Sequence, residues 1–319
     1  MPAKSQANPM EAKPPHSAAG NGISSRELDS LSSLVSPPHI CVRITELLAN
    51  PRAEAREIGS VIAQDPSLTA RLLRVVNSPF YGFRSRIDSV TRAVALVGHG
   101  AVHNLAVAVS AVKSFSEIPN DLVNMDTFWR HGVYCGLIAR ACATHAPIPQ
   151  PERLFVAGLL HDLGSLVLYQ SRPEACRETL LIADGDEAVL YQAEIEAFGF
   201  SHADLGGRLM VRWGLPAALA DAVAYHHAPA AAEVAPFEAA ILHIAEALAN
   251  RSRIGAFSEQ SRGEATVDDI AWLVLGATDP EALSESLIAQ ADERFLDTVQ
   301  LLTPPRSAPP ATRTGTARS

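Results

Sequence analysis

The chain is expected to fold as an all-α protein, and three observations predict it. Apolar residues recur at helical spacing almost throughout residues 25–302, with no persuasive two-residue alternation. Hydrophobic residues make up 47% of the 319 positions but aromatics only 6%, so the core is built of Ala, Leu and Val, which suits close-packed helices. The punctuation is also that of helices, with Asp or Ser ahead of apolar runs and Pro or Gly at their ends.

Taken in order, residues 1–24 are rich in Pro, Ala, Ser, Gly and Asn and are expected to form a disordered tail. Leu28 to Val35 is a short amphipathic helix closed by Pro37-Pro38, and Ile40 to Leu48 is the next. Glu57 to Ala63 places Ile58, Val61 and Ile62 on one face. Asp65-Pro66 opens a helix with an N-cap and a first-position proline, and Asn77-Ser-Pro79 stops it. Val90 to Phe115 reads as a buried helix pair split near Gly98-Gly100. Ser116 to Asn124 is a joint, and Phe128 to about His145 is helical. Glu152 to Tyr169 is one helix, or two short ones bent near Gly158. Glu187 to Phe198 follows. Ser201-His-Ala-Asp204 forms a capping box with Asp in place of Glu and opens a helix to Trp213. Pro216 opens a helix ending at His226-His227. Phe237 to Ala249, a helix capped by Thr266-Val-Asp-Asp269, and Glu281 to Leu301 complete the order, before a Pro-rich tail from Thr303.

Composition excludes several roles. A formal net charge of −9 and a pI of about 5.7 argue against nonspecific binding to nucleic acid or anionic membranes, which needs clustered cations. The four cysteines form no CxxC, which suggests reduced thiols in a cytosol; Cys135 and Cys142 read as core packing on one helix face. No apolar leader opens the chain, so a cytoplasmic location is expected. Ala93 to Val112 is the most membrane-like stretch, but it carries His99, His103 and Asn104 and reads as core.

Chemistry is concentrated in His161-Asp162, which interrupts an apolar run from Phe155 to Leu168. Burying an imidazole beside a carboxylate costs several kcal/mol unless something pairs with them. A divalent cation is one such partner and a hydrogen-bonded pair bracing two helices is another. His131, His202, His226 and His227 are further candidate ligands, spread over four expected helices. Taken singly, each has a plainer reading: a core or capping histidine at 131, an N-terminal turn at 202, and at 226–227 a helix C-terminus whose dipole favours imidazolium. As a set, imidazole with carboxylate suits iron, manganese, zinc or nickel, one ion or two, and Asp162 is placed to bridge a pair. Separately, Arg71, Arg74, Arg84, Arg86 and Arg92 gather around the Asn77 turn. They read as a solvated basic face or as a ligand-binding surface for a small nucleotide through Arg71, Arg74 and Asn77.

Beyond these residues, the chain resembles the HDOD family, a regulatory branch of the HD superfamily of metal-dependent phosphohydrolases. The resemblance is carried by Ile62-Ala-Gln-Asp65-Pro66-Ser67-Leu68-Thr69, Leu72 to Ser78, Ile87 to Gly98, Ala157 to Gly164, Phe198 to Gly206, Trp213-Gly-Leu-Pro216 and Ala224-Tyr-His226-His227. It implies an HD-type helical core with an N-terminal helical subdomain. The expected division is 25–116, 117–250 and C-terminal helices at 251–302, between tails at 1–24 and 303–319. It also implies the ligand order His131, His161-Asp162 and a later acid near Glu246, where the enzymes carry Asp. His202, His226 and His227 match the extra histidines of the HD-GYP branch, which hydrolyses cyclic dinucleotides. The chain departs from that branch where Ser165 replaces its Lys and where Ala228 to Glu233 replaces its Gly-Tyr-Pro.

The expectation is a cytoplasmic bacterial signalling module that binds metal without efficient catalysis, with a signalling protein or small nucleotide as partner. The alternatives are a phosphohydrolase acting on a nucleotide or other phosphoester through His161 and Asp162, and a structural metal-binding interaction protein.

Overall fold

The computed structural model describes residues 22–302 except 38, 49, 51–53, 80, 117–120, 147, 149 and 259–264. The expected tails lie outside the described residues apart from 22–24, which open the first helix, and so do residues 117–120 of the expected joint.

Among the described residues every regular element is helical. The order is α1 (Gly22–Leu34), α2 (His39–Leu48), α3 (Ala55–Ile62), α4 (Pro66–Val76), α5 (Val90–Val97), α6 (His99–Ser116), α7 (Met125–Ala143) and α8 (Glu152–Leu160). It continues with α9 (Leu163–Ser171), α10 (Pro173–Ala183), α11 (Glu187–Phe198), α12 (His202–Arg212), α13 (Ala217–Ala224), α14 (Pro236–Arg251), α15 (Asp269–Leu275) and α16 (Pro280–Leu302).

The caps explain most boundaries. Asp65 accepts from the Leu68 amide at 3.0 Å with Pro66 at the first helical position. Ser201 and Asp204 form the expected reciprocal box, Asp204 Oδ2 accepting from the Ser201 amide at 2.9 Å. One expectation needs correction. The 152–171 segment does break into two helices, but at His161-Asp162 rather than at Gly158. Within the expected Thr266–Asp269 cap of α15 the capping residue is Asp268, which accepts from the Ile270 amide. Helix α10 has only a weak apolar stripe and was not expected; its buried residues are Cys176, Thr179 and Ala183.

Helices α2 to α6 pack together, and α6 rests on α8. The other half is centred on α7, α8, α12, α13 and α14, with α1 laid on α9 and α12 and α16 along α7 and α4. Buried side chains from Leu28 to Leu302 form one contiguous apolar cluster across both halves. The stretch Glu152–Ser171 is also long and apolar enough to cross a membrane, and 89% of its most apolar part is buried in this core. All four cysteines are buried free thiols.

One close approach sets the geometry of the centre. Helices α7 and α8 cross with Gly136 against Gly158, where a Cβ on Gly158 would lie 2.7 Å from Gly136 Cα. Only glycine permits that spacing. It brings the α7 face bearing His131 beside the end of α8, where His161 follows.

Candidate metal centre

His131 comes from α7, His161 and Asp162 from the break between α8 and α9, and His202 from the first residue of α12. His226 and His227 follow α13, and Glu246 stands on α14. The structure brings all seven expected residues into one cluster, and six are buried outright, with His227 at its edge.

The imidazole orientations share one feature. His131 Nδ1 donates to Gly255 O at 2.6 Å, His161 Nδ1 to Gly158 O at 2.8 Å, and His226 Nδ1 to Val223 O at 2.6 Å. A carbonyl oxygen only accepts, so each Nδ1 carries the proton and each Nε2 presents a lone pair. His202 Nδ1 is held by Glu194 Oε2 at 2.7 Å, and the same oxygen accepts from the His202 amide. All four Nε2 atoms turn toward Asp162 and Glu246. Asp162 Oδ2 lies 3.6 Å from His131 Nε2 and 3.3 Å from His161 Nε2, while Oδ1 lies 3.5 Å from His202 Nε2. Glu246 lies 3.8 Å from His226 Nε2 and 3.3 Å from His227 Nε2. His227 Nε2 and His202 Nε2 are 3.0 Å apart.

Several of these atoms lack any hydrogen bond. His161 Nε2, Asp162 Oδ1, His226 Nε2 and Glu246 Oε1 are fully buried without a partner in hydrogen-bond geometry. Buried polar atoms are nearly always satisfied, so four orphans in one cluster need a common cause. Their chemistry is that of ligands: neutral imidazole nitrogens and carboxylate oxygens. Donor atoms of His131, His161, Asp162 and Glu187 lie within 4.8 Å of one another, as do those of His202, His226 and His227, and those of His161, His226 and Glu246. The residues present therefore fit a divalent cation, with room for two.

Electrostatics follow from burial and proximity. Burial pushes the Asp162 carboxyl up, but the surrounding imidazoles outweigh it and hold it down at about 2. Burial pulls His161 and His226 below the ordinary imidazole range, and His227 with them through burial and its neighbouring histidines. His202 runs the other way: burial lowers it, but the Glu194 carboxylate prevails and raises it to about 9. Burial raises Glu246 well above the usual carboxylate range, with adjacent Glu187 adding to the effect.

Sequence reasoning missed Glu187 and Glu194. Both sit on the buried stripe of α11 with Leu190 and Ala193, so a carboxylate in a core register was the available signal. It also missed that Cys135 packs 3.5 Å from His131 Nε2, and that His243 is a brace, donating to His226 O and accepting from the Asp268 amide. Arg71, Arg74 and Asn77 lie on or just after α4 and do not join the cluster. Arg71 reaches Leu302 O and Arg74 reaches Ala70 O. Asn77 donates to Leu73 O and Ile87 O and accepts from the Ile87 amide, so its amide pins the 78–87 loop.

The sequence matches the HDOD domain over residues 34–229, more than half of the chain. The chain belongs to the HDOD family. An HDOD domain protein of unknown function from Geobacter sulfurreducens has the same fold, with a TM-score of 0.65 at 24% identity over 87% of this chain and 98% of that one. A provisionally named phosphohydrolase from Shewanella amazonensis SB2B superposes with a TM-score of 0.67 at 21% identity, covering 88% and 98%. A provisionally named signal transduction protein from Marinobacter aquaeolei VT8 gives 0.65 at 23% identity, covering 90% and 68%. An uncharacterized protein of Treponema pallidum (strain Nichols) is 26% identical over 200 residues, which is 62% of this HDOD chain but 38% of that relative's length.

Proposed function

We propose that this HDOD protein is a metal-holding signalling module of the bacterial cytoplasm that does not turn over efficiently. One observation carries the reading: four imidazoles with their Nδ1 atoms tied outward aim their Nε2 atoms at two carboxylates, leaving orphaned ligand atoms in a buried cluster. Asp162 offers Oδ2 to His131 and His161 and Oδ1 to His202, so it is placed to bridge two half-sites. His131, His161, Asp162 and Glu187 would form one, and His202, His226, His227 and Glu246 the other. Imidazole with carboxylate suits iron, manganese, zinc or nickel. A divalent cation held there would supply positive charge and Lewis acidity.

The surroundings disfavour phosphoester turnover. A cleft of about 430 Å³ reaches His227 and Glu246, and its carboxyl lining is Asp184, Asp186, Glu187 and Glu246, with no Lys or Arg among the described residues. An anionic substrate meets the carboxylates of Asp184 and Asp186 on entry and, among those residues, no Lys or Arg to hold developing phosphoryl charge. Ser165, where the cyclic-dinucleotide hydrolases carry Lys, is itself buried. A protein partner or small nucleotide ligand fits this reading better than a substrate.

Elemental mass spectrometry is expected to find one or two divalent ions per chain. Chelation is expected to lower the melting temperature by about 4–5 °C, as a ligand present at hundredfold excess over its Kd contributes ~2.7 kcal/mol. Loaded protein should leave phosphomonoesters, phosphodiesters and cyclic dinucleotides intact. Turnover that disappears in Asp162→Ala would replace this reading with a phosphohydrolase. A folded protein that takes up no iron, manganese or zinc would remove the metal altogether.

Glu194 orients His202 without facing the two half-sites. Its replacement in Glu194→Gln is therefore expected to weaken metal binding by about 10- to 100-fold with little loss of fold. Competition against a chelator of known affinity measures this, and unchanged affinity would make Glu194 merely a helix brace.

A further inference from the structure

A second cleft, of about 250 Å³, opens between the 81–83 turn, α5, α6 and α8. One wall is aromatic: Tyr81 and Phe83 stack with centroids 6.0 Å apart and planes 3° from parallel. Phe83 is 37% exposed and Leu96, also lining the cleft, is 50% exposed, so an apolar flat surface faces solvent. The polar lining is more telling. Asn104 is 5% exposed, and its Oδ1 has no partner in hydrogen-bond geometry. Arg153 Nε is buried and unpartnered as well, while a terminal nitrogen of the same guanidinium is anchored on Glu238. The two residues that carry this acceptor and this donor both line one small aromatic cleft. Buried polar atoms are rarely left unpaired, and two such orphans in one cavity mark a place where something else supplies the partners.

We propose that this cleft binds a planar nitrogen heterocycle of the nucleobase class. The ring would stack on Phe83, one edge N–H would donate to Asn104 Oδ1, and one edge acceptor would receive the Arg153 Nε–H. Nucleobases carry donor and acceptor side by side, and their faces stack on any aromatic ring. The volume lies below the ~300–1,000 Å³ of drug-sized sites, which selects a single base or nucleoside. The anchoring of Arg153 on Glu238 joins this cleft to α14, the helix that also bears Glu246, and α8 runs from Arg153 to His161. The inference does not depend on the metal centre.

The test is calorimetric titration of the full chain with adenine, guanine, cytosine and uracil in turn, with toluene as an apolar competitor. At least one base is expected to bind saturably. Phe83→Ala, at an exposed position, and Asn104→Leu, an apolar replacement of similar size, are each expected to weaken that base at least tenfold. Metal content should stay unchanged in Phe83→Ala, which separates this site from the histidine cluster. Three results would overturn the proposal: no base binds, Phe83→Ala binds as the wild type does, or toluene displaces the base.

Discussion

Asp162→Ala is expected to strip the protein of metal while its helices remain folded. Asp162 is the one carboxylate among the described residues that lies within 3.6 Å of the Nε2 atoms of all three of His131, His161 and His202, and its two oxygens face different half-sites. Removing it deletes a ligand from both. Loss of a residue that merely orients a ligand already costs about 10- to 100-fold in affinity, so loss of the shared ligand should exceed ~100-fold. The fold should survive because Asp162 caps no helix amide and its neighbours His161 and His202 keep their own hydrogen bonds to Gly158 and Glu194. Elemental analysis of wild type and variant, purified side by side, reads the effect directly. A variant that retains full stoichiometry would show that the imidazoles alone hold the ions. A variant that unfolds would show that the carboxylate is part of the core's hydrogen-bonded frame.

Gly164→Ala is expected to be the most disruptive glycine-to-alanine change among the described residues. A Cβ there would lie 2.0 Å from the His202 carbonyl oxygen and 2.8 Å from the Gly206 amide nitrogen. Both obstacles are backbone, so no rotamer change relieves them, and α9 must move away from α12. Overpacking of this kind costs about 3 kcal/mol or more. Because α12 carries His202, the same movement would draw it from Asp162 and weaken metal binding. Gly100→Ala is the control: a Cβ there meets nothing within 4 Å, and the position lies in the first turn of α6. Denaturant melts of the two variants should differ by about 3 kcal/mol, and similar midpoints would mean that α9 and α12 can separate cheaply.

The histidine cluster was legible as a list of residues before it was legible as a site. His161-Asp162 stood out because an imidazole and a carboxylate interrupt an apolar run, and His131, His202, His226, His227 and Glu246 followed from chemistry and from family resemblance. Glu194 escaped because a single glutamate on an amphipathic helix looks like solvent-facing charge until the neighbouring helix is in place. Gly255 escaped for a different reason: its carbonyl serves His131 across 124 positions of chain, and no side chain marks it. Asn77 stands beside a basic turn, which left a solvated face and a ligand surface both open; its amide is engaged on three sides within the loop.

The amino-acid order by itself determined the helices and their ends, because spacing, prolines and caps act within a few residues. Asp65 with Pro66 and Ser201 with Asp204 need nothing distant to do their work. It also determined which side chains carry the chemistry. Only the tertiary structure decided that three separated helices and two interhelical breaks place those side chains around one buried volume. That outcome depends on backbone approaches at Gly136, Gly158 and Gly164, and on carbonyls that turn His131, His161 and His226 the same way. Such contacts involve atoms common to every residue, and so they leave little trace in a one-dimensional pattern.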